Sequence, residues 1–375
     1  MKIKRYYQDV ENYLRKDKVL VVYGPRQVGK TTLLLDFLKT TKLKYKLDTG
    51  DNIKTQEILG SSDIDLIKEY AEGYELIAID EAQKIPNIGK GLKILVDYIP
   101  GLMVIATGSS SFELSGQIGE PLVGRKTKII LFPISQIELF YTHNSYEMRK
   151  NLEDWLIFGG YPEVITAEAK HEKMRLLEEI TQSYLFKDIL ELDRVKNTKL
   201  LVDLLRLVAF QIGSEVSYNE LSQNLGVDSK TVARYLDIFE KSFIIYNLRG
   251  FSRNLRKEIN KKSKYYFYDN GVRNAVISNF NSIELRDDIG SLWENFLFME
   301  RMKKRAFNNI YANIYFWRTW DKKEIDLIEE REGKLFGYEF KWKNRKVKTP
   351  KEWLDTYKNS EYKVISGENY LHFIT

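Results

Sequence analysis

The chain contains no cysteine and only three histidines in 375 residues. Disulfides, thiolate nucleophiles and cysteine-ligated zinc or iron–sulfur centres are thereby excluded, and a histidine-rich metal site lacks ligands. Metal chemistry here must rest on carboxylates, which favour Mg²⁺ or Mn²⁺. No apolar run approaches the ~18 residues that a membrane span requires. Nor does the start, Met1-Lys2-Ile3-Lys4-Arg5-Tyr6, hold an apolar signal core. The compartment expected is the cytoplasm, with no membrane partner.

Hydrophobic residues make up 43% and charged residues 30% of the chain, the balance of a globular protein that at this length divides into two to four domains. The formal net charge is +6, modest overall but unevenly placed. Arg249, Arg253, Arg256, Lys257, Lys261, Lys262 and Lys264 stand against the single acid Glu258, a local excess as large as that of the whole chain. Such a stretch is either a polyanion contact or a solvated basic loop.

The strongest local signal is Gly24-Pro25-Arg26-Gln27-Val28-Gly29-Lys30-Thr31-Thr32, which reads Gly-x-x-x-x-Gly-Lys-Thr from Gly24 to Thr31. Val19-Leu20-Val21-Val22 before it has the pattern of a buried parallel strand, and Leu33 to Leu38 after it that of a helix. In that context the glycines let the chain wrap a triphosphate so that backbone N–H groups and a helix N-terminus point at the anion. Lys30 would reach the β- and γ-phosphates of ATP, and the Thr31 hydroxyl would ligate Mg²⁺.

Glu75-Leu76-Ile77-Ala78-Ile79-Asp80-Glu81 is an apolar strand ending in paired acids, some fifty residues beyond the loop. Its carboxylates fall at the carboxyl edge of the sheet, where such sheets bind ligands. Asp80 would hold Mg²⁺ through its water shell, and Glu81 would polarise the attacking water, which favours hydrolysis over nucleotide-kinase chemistry. A further strand, Leu102 to Ala106, ends in Thr107-Gly108-Ser109-Ser110-Ser111, whose hydroxyls can sense the γ-phosphate or cap a helix. Arg125, in Gly124-Arg125-Lys126, is a candidate for charge on the γ-phosphate, in its own or a neighbouring subunit.

The run from Gly24 to Leu33, Ile79-Asp-Glu-Ala-Gln-Lys-Ile-Pro86, Thr107-Gly-Ser-Ser110, Gly124-Arg125 and Phe132-Pro-Ile-Ser135 resemble those of the AAA-fold ATP-binding proteins that carry the domain of unknown function 4143. The resemblance spans essentially the whole chain. It implies a doubly wound P-loop ATPase sheet over residues 1–135, and it makes Arg125 a candidate arginine finger, with a homo-oligomer as its corollary. It also marks Gly159-Gly160-Tyr161-Pro162-Glu163 as a family motif, which on its residues alone reads as a tight packed turn.

Residues 136–212 have helical apolar spacing and are expected to form a connector or lid. From 213 to 275 the punctuation is that of a winged helix-turn-helix. Ser217 and Glu220 form a capping box, Gly226-Val227 the turn, and Ser229 caps a second helix that buries Val232, Tyr235, Leu236 and Phe239. Lys230 and Arg234 then point outward, where DNA-reading side chains sit, and the basic stretch becomes the wing.

The last unit, 276–375, opens with a helix containing Glu294 and continues into the strands Glu324 to Ile328 and Leu335 to Lys341. A hairpin with Glu330 opposite Leu335 puts Asp326 opposite Glu339, about 5 Å apart. Glu339 and Lys341 share a strand face. Asp326 and Glu339 would hold one Mg²⁺, Glu294 would add a ligand, and Lys341 would favour the hydroxide form of a bound water. This set resembles the restriction-endonuclease-like nucleases, and Lys343, Arg345, Lys346 and Lys348 would flank it.

These readings converge on a Mg²⁺-dependent ATPase associated with DNA, with a metal-dependent nuclease domain at its end. The alternatives are a nucleotide-switched DNA-binding or protein-binding regulator whose nuclease-like domain is inactive, and an ATPase that acts on protein partners alone.

Overall fold

The computed structural model describes residues 3–109, 121–183, 197–251, 263–319, 323–343 and 351–375. The first unit is a five-stranded sheet ordered β2-β3-β4-β1-β5. Its strands are β1 (Val19–Tyr23), β2 (Tyr45–Thr49), β3 (Leu76–Asp80), β4 (Met103–Thr107) and β5 (Lys126–Ile130), all parallel. β1, with every residue buried, lies between β4 and β5 because its unbroken apolar run has no wet face to offer. Helices α1 (Lys30–Thr40), α2 (Ile53–Gly60), α3 (Ile64–Ala71) and α4 (Ile88–Tyr98) complete the doubly wound α/β unit. The apolar positions divide into two cores, one on each face: Leu20 and Val22 side with Leu33 and Phe37 of α1, while Val19 and Val21 side with Leu92 and Leu95 of α4.

Downstream, α5 (Gln136–Leu139), α6 (Ser145–Lys150), α7 (Leu152–Phe158), α8 (Pro162–Thr166), α9 (Lys170–Ser183) and α10 (Thr198–Phe210) give the expected helical stretch. Next come α11 (Tyr218–Leu225) and α12 (Ser229–Lys241), beside an antiparallel sheet of β6 (Glu215–Val216), β8 (Ser263–Phe267) and β7 (Ile245–Arg249), in that order. Val232, Tyr235, Leu236 and Phe239 are buried as their spacing requires, and Gly226 closes α11 in a left-handed conformation at φ 65°. The cap of α12 lies one residue earlier than expected: Asp228, not Ser229, accepts the Thr231 N–H at 2.8 Å. An ionised carboxylate at that end is the stronger acceptor.

The tail unit joins α13 (Asn270–Val276) to the long α14 (Ile289–Phe307) and a mixed sheet ordered β12-β11-β10-β9. Its strands are β9 (Asn313–Arg318), β10 (Glu324–Arg331), β11 (Lys334–Phe340) and β12 (Ser360–Ile365), flanked by α15 (Lys351–Thr356) and α16 (Tyr370–Ile374). The β10–β11 register sets Glu330 opposite Leu335 and Leu327 opposite Tyr338, the hairpin read from the sequence. α14 is the spine that binds this unit to the rest. Its Glu300 accepts the Gln136 N–H at 2.7 Å, Tyr6 stacks on Phe307 at 4.3 Å, and Arg301 makes paired 2.7 Å bonds to Glu329. Among the described residues no helix is long and apolar enough to cross a membrane.

Candidate nucleotide site and carboxylate cluster

The turn after β1 is shaped by glycine. Gly24 has φ 149°, and a Cβ there would lie 2.1 Å from the Leu131 carbonyl oxygen, so no other residue lets β1 leave the sheet so close to the end of β5. Gly29, at φ 93°, starts α1 without any side-chain cap, leaving the first N–H groups of the helix for an anion. Lys30 is buried, and its ammonium donates to the carbonyls of Gly24 at 3.0 Å and Pro25 at 2.7 Å, folded across its own loop. Arg26, Gln27, Gly29, Lys30, Thr31 and Thr32 line a cavity of about 480 Å³, with Glu81, Lys84 and Glu163 opposite. Val28 is fully buried and anchors the loop.

Asp80 ends β3 beside this loop. The Thr31 hydroxyl donates to its Oδ2 at 2.8 Å, and the Thr107 hydroxyl to its Oδ1. Thr107 also accepts the Glu81 N–H at 3.2 Å. Parallel pairing of β4 with both β1 and β3 places its end between the loop and the acids. Of the hydroxyls from Thr107 to Ser111, that of Thr107 donates to Asp80; Ser110 and Ser111 lie outside the described residues. Glu81 takes a left-handed backbone, φ 51°, rare for a side-chain-bearing residue, and its carboxylate accepts from Gln83 at 2.5 Å. Oxygen donors already gathered at Thr31 and Asp80 next to an uncapped helix N-terminus fit a Mg²⁺–nucleotide pair.

Arg125 is not brought to this loop. The Val19 N–H donates to the Arg125 carbonyl at 2.9 Å, at the amino edge of the sheet, and the Arg125 guanidinium pairs with Asp97 of α4. The loop leaves β1 at Tyr23, four residues or roughly 13 Å further along. The structure thus removes the expectation that Arg125 serves its own chain's loop, because a residue preceding a strand parallel to β1 must sit at the opposite edge.

Two contributors have no chemical role in the sequence reading. Arg5 bridges the Val28 carbonyl at 2.5 Å, the Phe132 carbonyl at 2.6 Å and Glu138 at 2.8 Å, tying the amino-terminal segment to the back of the phosphate loop. Glu163 reaches the cavity because Gly159 and Gly160 turn α8 toward it. Gly159 is at φ 74° with Asp269 packed where a Cβ would be, and Asp269 accepts the Gly160 N–H at 2.6 Å. Pro162 in the first turn of α8 was the signal for a helix there.

In the tail, Asp326 and Glu339 fall together as the register requires. Asp326 Oδ2 accepts the Phe340 N–H at 2.7 Å, and the Lys341 ammonium donates to Glu339 Oε1 at 2.5 Å. Glu294, from α14, faces the same space. A lysine is also there: Lys264 of β8, fully buried, pairs with Glu324, with Glu294 at 3.2 Å and with Asp326 at 3.8 Å. Burial opposes its charge, but the carboxylates of Glu294, Asp326 and Glu324 outweigh that and raise its pKa. Burial, reinforced by Asp326, pushes Glu294 up to about 8, and burial beside Asp326 pushes Glu339 up to about 7.

The expected Mg²⁺ shared by Glu294, Asp326 and Glu339 does not fit this arrangement. Among the described residues no group of three or more acids or histidines is disposed to hold a metal. The reading of Lys264 as a wing cation is likewise corrected, since it is enclosed by acids. Arg253, Arg256, Lys257, Lys261 and Lys262 of that basic run, and Arg345, Lys346 and Lys348 beyond the cluster, lie outside the described residues. Lys230 and Arg234 are exposed on α12.

Residues 16–140 match the family model of an AAA domain, and residues 289–372 that of a domain of unknown function, DUF4143. The chain joins an AAA domain to a DUF4143 domain. Between them, residues 149–283 match a second domain of unknown function, DUF8612. An AAA domain is an ATPase-type, nucleotide-binding unit, in agreement with the parallel sheet and loop described above. Relatives include an uncharacterised protein of Mycobacterium tuberculosis, 28% identical over 88% of this chain and 71% of its own length. Another, from Methanocaldococcus jannaschii, is 24% identical over 100% of this chain and 90% of its own. Two solved structures share weak likeness. A Pif1 helicase from Bacteroides is 15% identical over 49% of this chain and 52% of that one, with a TM-score of 0.26. A katanin structure is 16% identical over 63% and 81%, with a TM-score of 0.27. Scores this low bear on neither fold nor function.

Proposed function

We propose that this chain binds and hydrolyses ATP at the cavity between the phosphate loop and α8, and that hydrolysis switches how its later units hold DNA. The observation that carries the reading is the convergence of an uncapped α1 N-terminus, the Lys30 ammonium and the Thr31–Asp80 pair on one cavity. Backbone N–H groups of the loop from Gly24 to Thr32, Pro25 excepted, and the Lys30 ammonium would hold the phosphates. Thr31 and Asp80 would hold Mg²⁺, which when bound supplies charge neutralisation between the phosphates. Glu81 would take a proton from the attacking water, with its backbone fixed through Thr107. Glu163 is placed to respond to the occupied cavity, and Gly159–Asp269 connects it to α13.

The units would be an ATPase domain at 1–135, a helical connector at 136–212, a winged helix at 213–275 and a restriction-endonuclease-like domain at 276–375. Exposed Lys230 and Arg234 on the second helix and the basic run after Arg249 support DNA as the partner. For the tail, the enclosed Lys264 favours a gripping role over cleavage. Arg125, at the amino edge of the sheet, would act as a finger only on a neighbouring copy in a homo-oligomer.

The test is phosphate release from ATP and Mg²⁺ with and without DNA, run beside a cleavage gel. ATP turnover that changes with DNA, salt-sensitive binding and intact DNA are expected. Turnover indifferent to DNA would point instead to protein partners, and Mg²⁺-dependent products lost in Lys341→Ala would restore the nuclease.

A further inference from the structure

The carboxylates of the DUF4143 domain already surround a cation. Lys264 comes from β8, where it pairs with Leu248 on one side and Glu215 on the other, so it belongs to the sheet of the preceding unit. Its side chain leaves that sheet, passes 5.4 Å from the Phe316 ring and ends among Glu294 of α14 and Glu324 and Asp326 of β10. We propose that the Lys264 ammonium is the resident counter-ion of this cluster, standing where a divalent metal shared by Glu294 and Asp326 would stand.

The hydrogen bonds of the cluster run in that sense. Glu294 Oε1 accepts from Lys264 at 3.2 Å and from the Tyr266 hydroxyl at 2.7 Å. Asp326 Oδ2 is turned to the Phe340 N–H at 2.7 Å, and Glu339 Oε1 to Lys341 at 2.5 Å. Among the described atoms of this cluster, the buried oxygen without a hydrogen-bond partner is Glu339 Oε2, and a Mg²⁺ ion, which keeps several waters and takes one or two carboxylates, would have to displace the Lys264 ammonium to bridge Glu294 and Asp326. A divalent ion would also have to enter beside a full positive charge in a site screened from water, where repulsion at ~4 Å is strong. An ammonium shut away from solvent needs these acids as much as they need it, because a buried charge stripped of its partners is heavily penalised. The cluster therefore works as a charged staple between two units of the chain.

Mn²⁺ binding to the nucleotide-free full chain, followed by calorimetry, tests this. Wild type and Asp326→Asn should bind Mn²⁺ alike, within about twofold, because the phosphate-loop residues are common to both. Lys264→Gln should open the cluster, giving at least about tenfold tighter Mn²⁺ binding that disappears again in Lys264→Gln/Asp326→Asn. Wild-type Mn²⁺ binding that is lost in Asp326→Asn would overturn the proposal, as would a folded Lys264→Gln protein that binds no more tightly than wild type. Should Lys264→Gln not fold, the wild-type comparison with Asp326→Asn still decides, with Glu339→Gln as its replicate.

Discussion

The two charged centres of this chain are built by opposite means. The phosphate loop is made of backbone: glycine dihedrals, uncapped N–H groups and one lysine folded over carbonyls it can release. The tail cluster is made of side chains from four elements, β8, α14, β10 and β11, with Lys341 just beyond, and each is already bonded to a neighbour. A backbone cradle keeps its donors directed at an empty space at little cost, since water satisfies them until an anion arrives. Buried carboxylates cannot wait in that way, and they are held with a cation of the protein's own. One centre is prepared to exchange its contents and the other to keep them.

The largest effect expected is in the loop. Lys30→Ala should lower kcat/KM for ATP by about 10³-fold, since it removes a charge aimed at the phosphates, while the melting temperature of the nucleotide-free protein stays close to wild type. A large loss of stability instead would mean that Lys30 serves its own carbonyls as structure, and the contrast with Lys264 would vanish. Glu81→Gln should lower kcat by about 10²-fold with ATP affinity preserved, read by single-turnover hydrolysis beside equilibrium binding. An unchanged kcat would return Glu81 to the role of a loop acid.

Between the two centres, Gly159→Ala should cost about 2–4 kcal/mol in denaturant unfolding. It forces a side-chain-bearing residue to φ 74° and drives its Cβ into the Asp269 carboxylate at 2.1 Å, which is itself fixed by the Gly160 and Val272 N–H groups. If the protein survives, its ATP affinity should fall with the displacement of α8. A stable variant with normal ATP binding would show that Glu163 lines the cavity without taking part in it.

The same contrast explains what was legible in the sequence. The loop was readable because Gly-x-x-x-x-Gly-Lys-Thr specifies a backbone path, and the Asp326–Glu339 pairing because a short hairpin fixes register. Arg125 was expected in its own or a neighbouring subunit, and its place before a strand parallel to β1 favours the neighbour. Lys264 gave no signal at all. In sequence it is one more cation in a basic run, and only the packing of β8 against α14 and β10, contacts 30 and 62 residues away, encloses it. Glu163 was hidden for a related reason: its glycine turn was legible as packing, but not the helix direction that packing imposes.

The smallest expected effect concerns pH. Glu294 lies among Lys264 and Tyr266 of β8, Glu324 and Asp326 of β10, with Glu339 of β11 and the following Lys341 beyond, and burial lifts its pKa from 4.5 to about 8. A folded-state pKa above the unfolded one means that the native state binds the proton more tightly. The contribution is complete below about pH 4.5 and is lost as pH rises toward 8. Unfolding free energy should therefore decline across that interval at no more than about 1.4 kcal/mol per pH unit from this group. Glu294→Gln should flatten the slope. In that interval the Lys264 charge is balanced by Glu324 and Asp326, with the protonated Glu294 carboxyl still accepting its bond, and equal slopes in wild type and Glu294→Gln would overturn this titration.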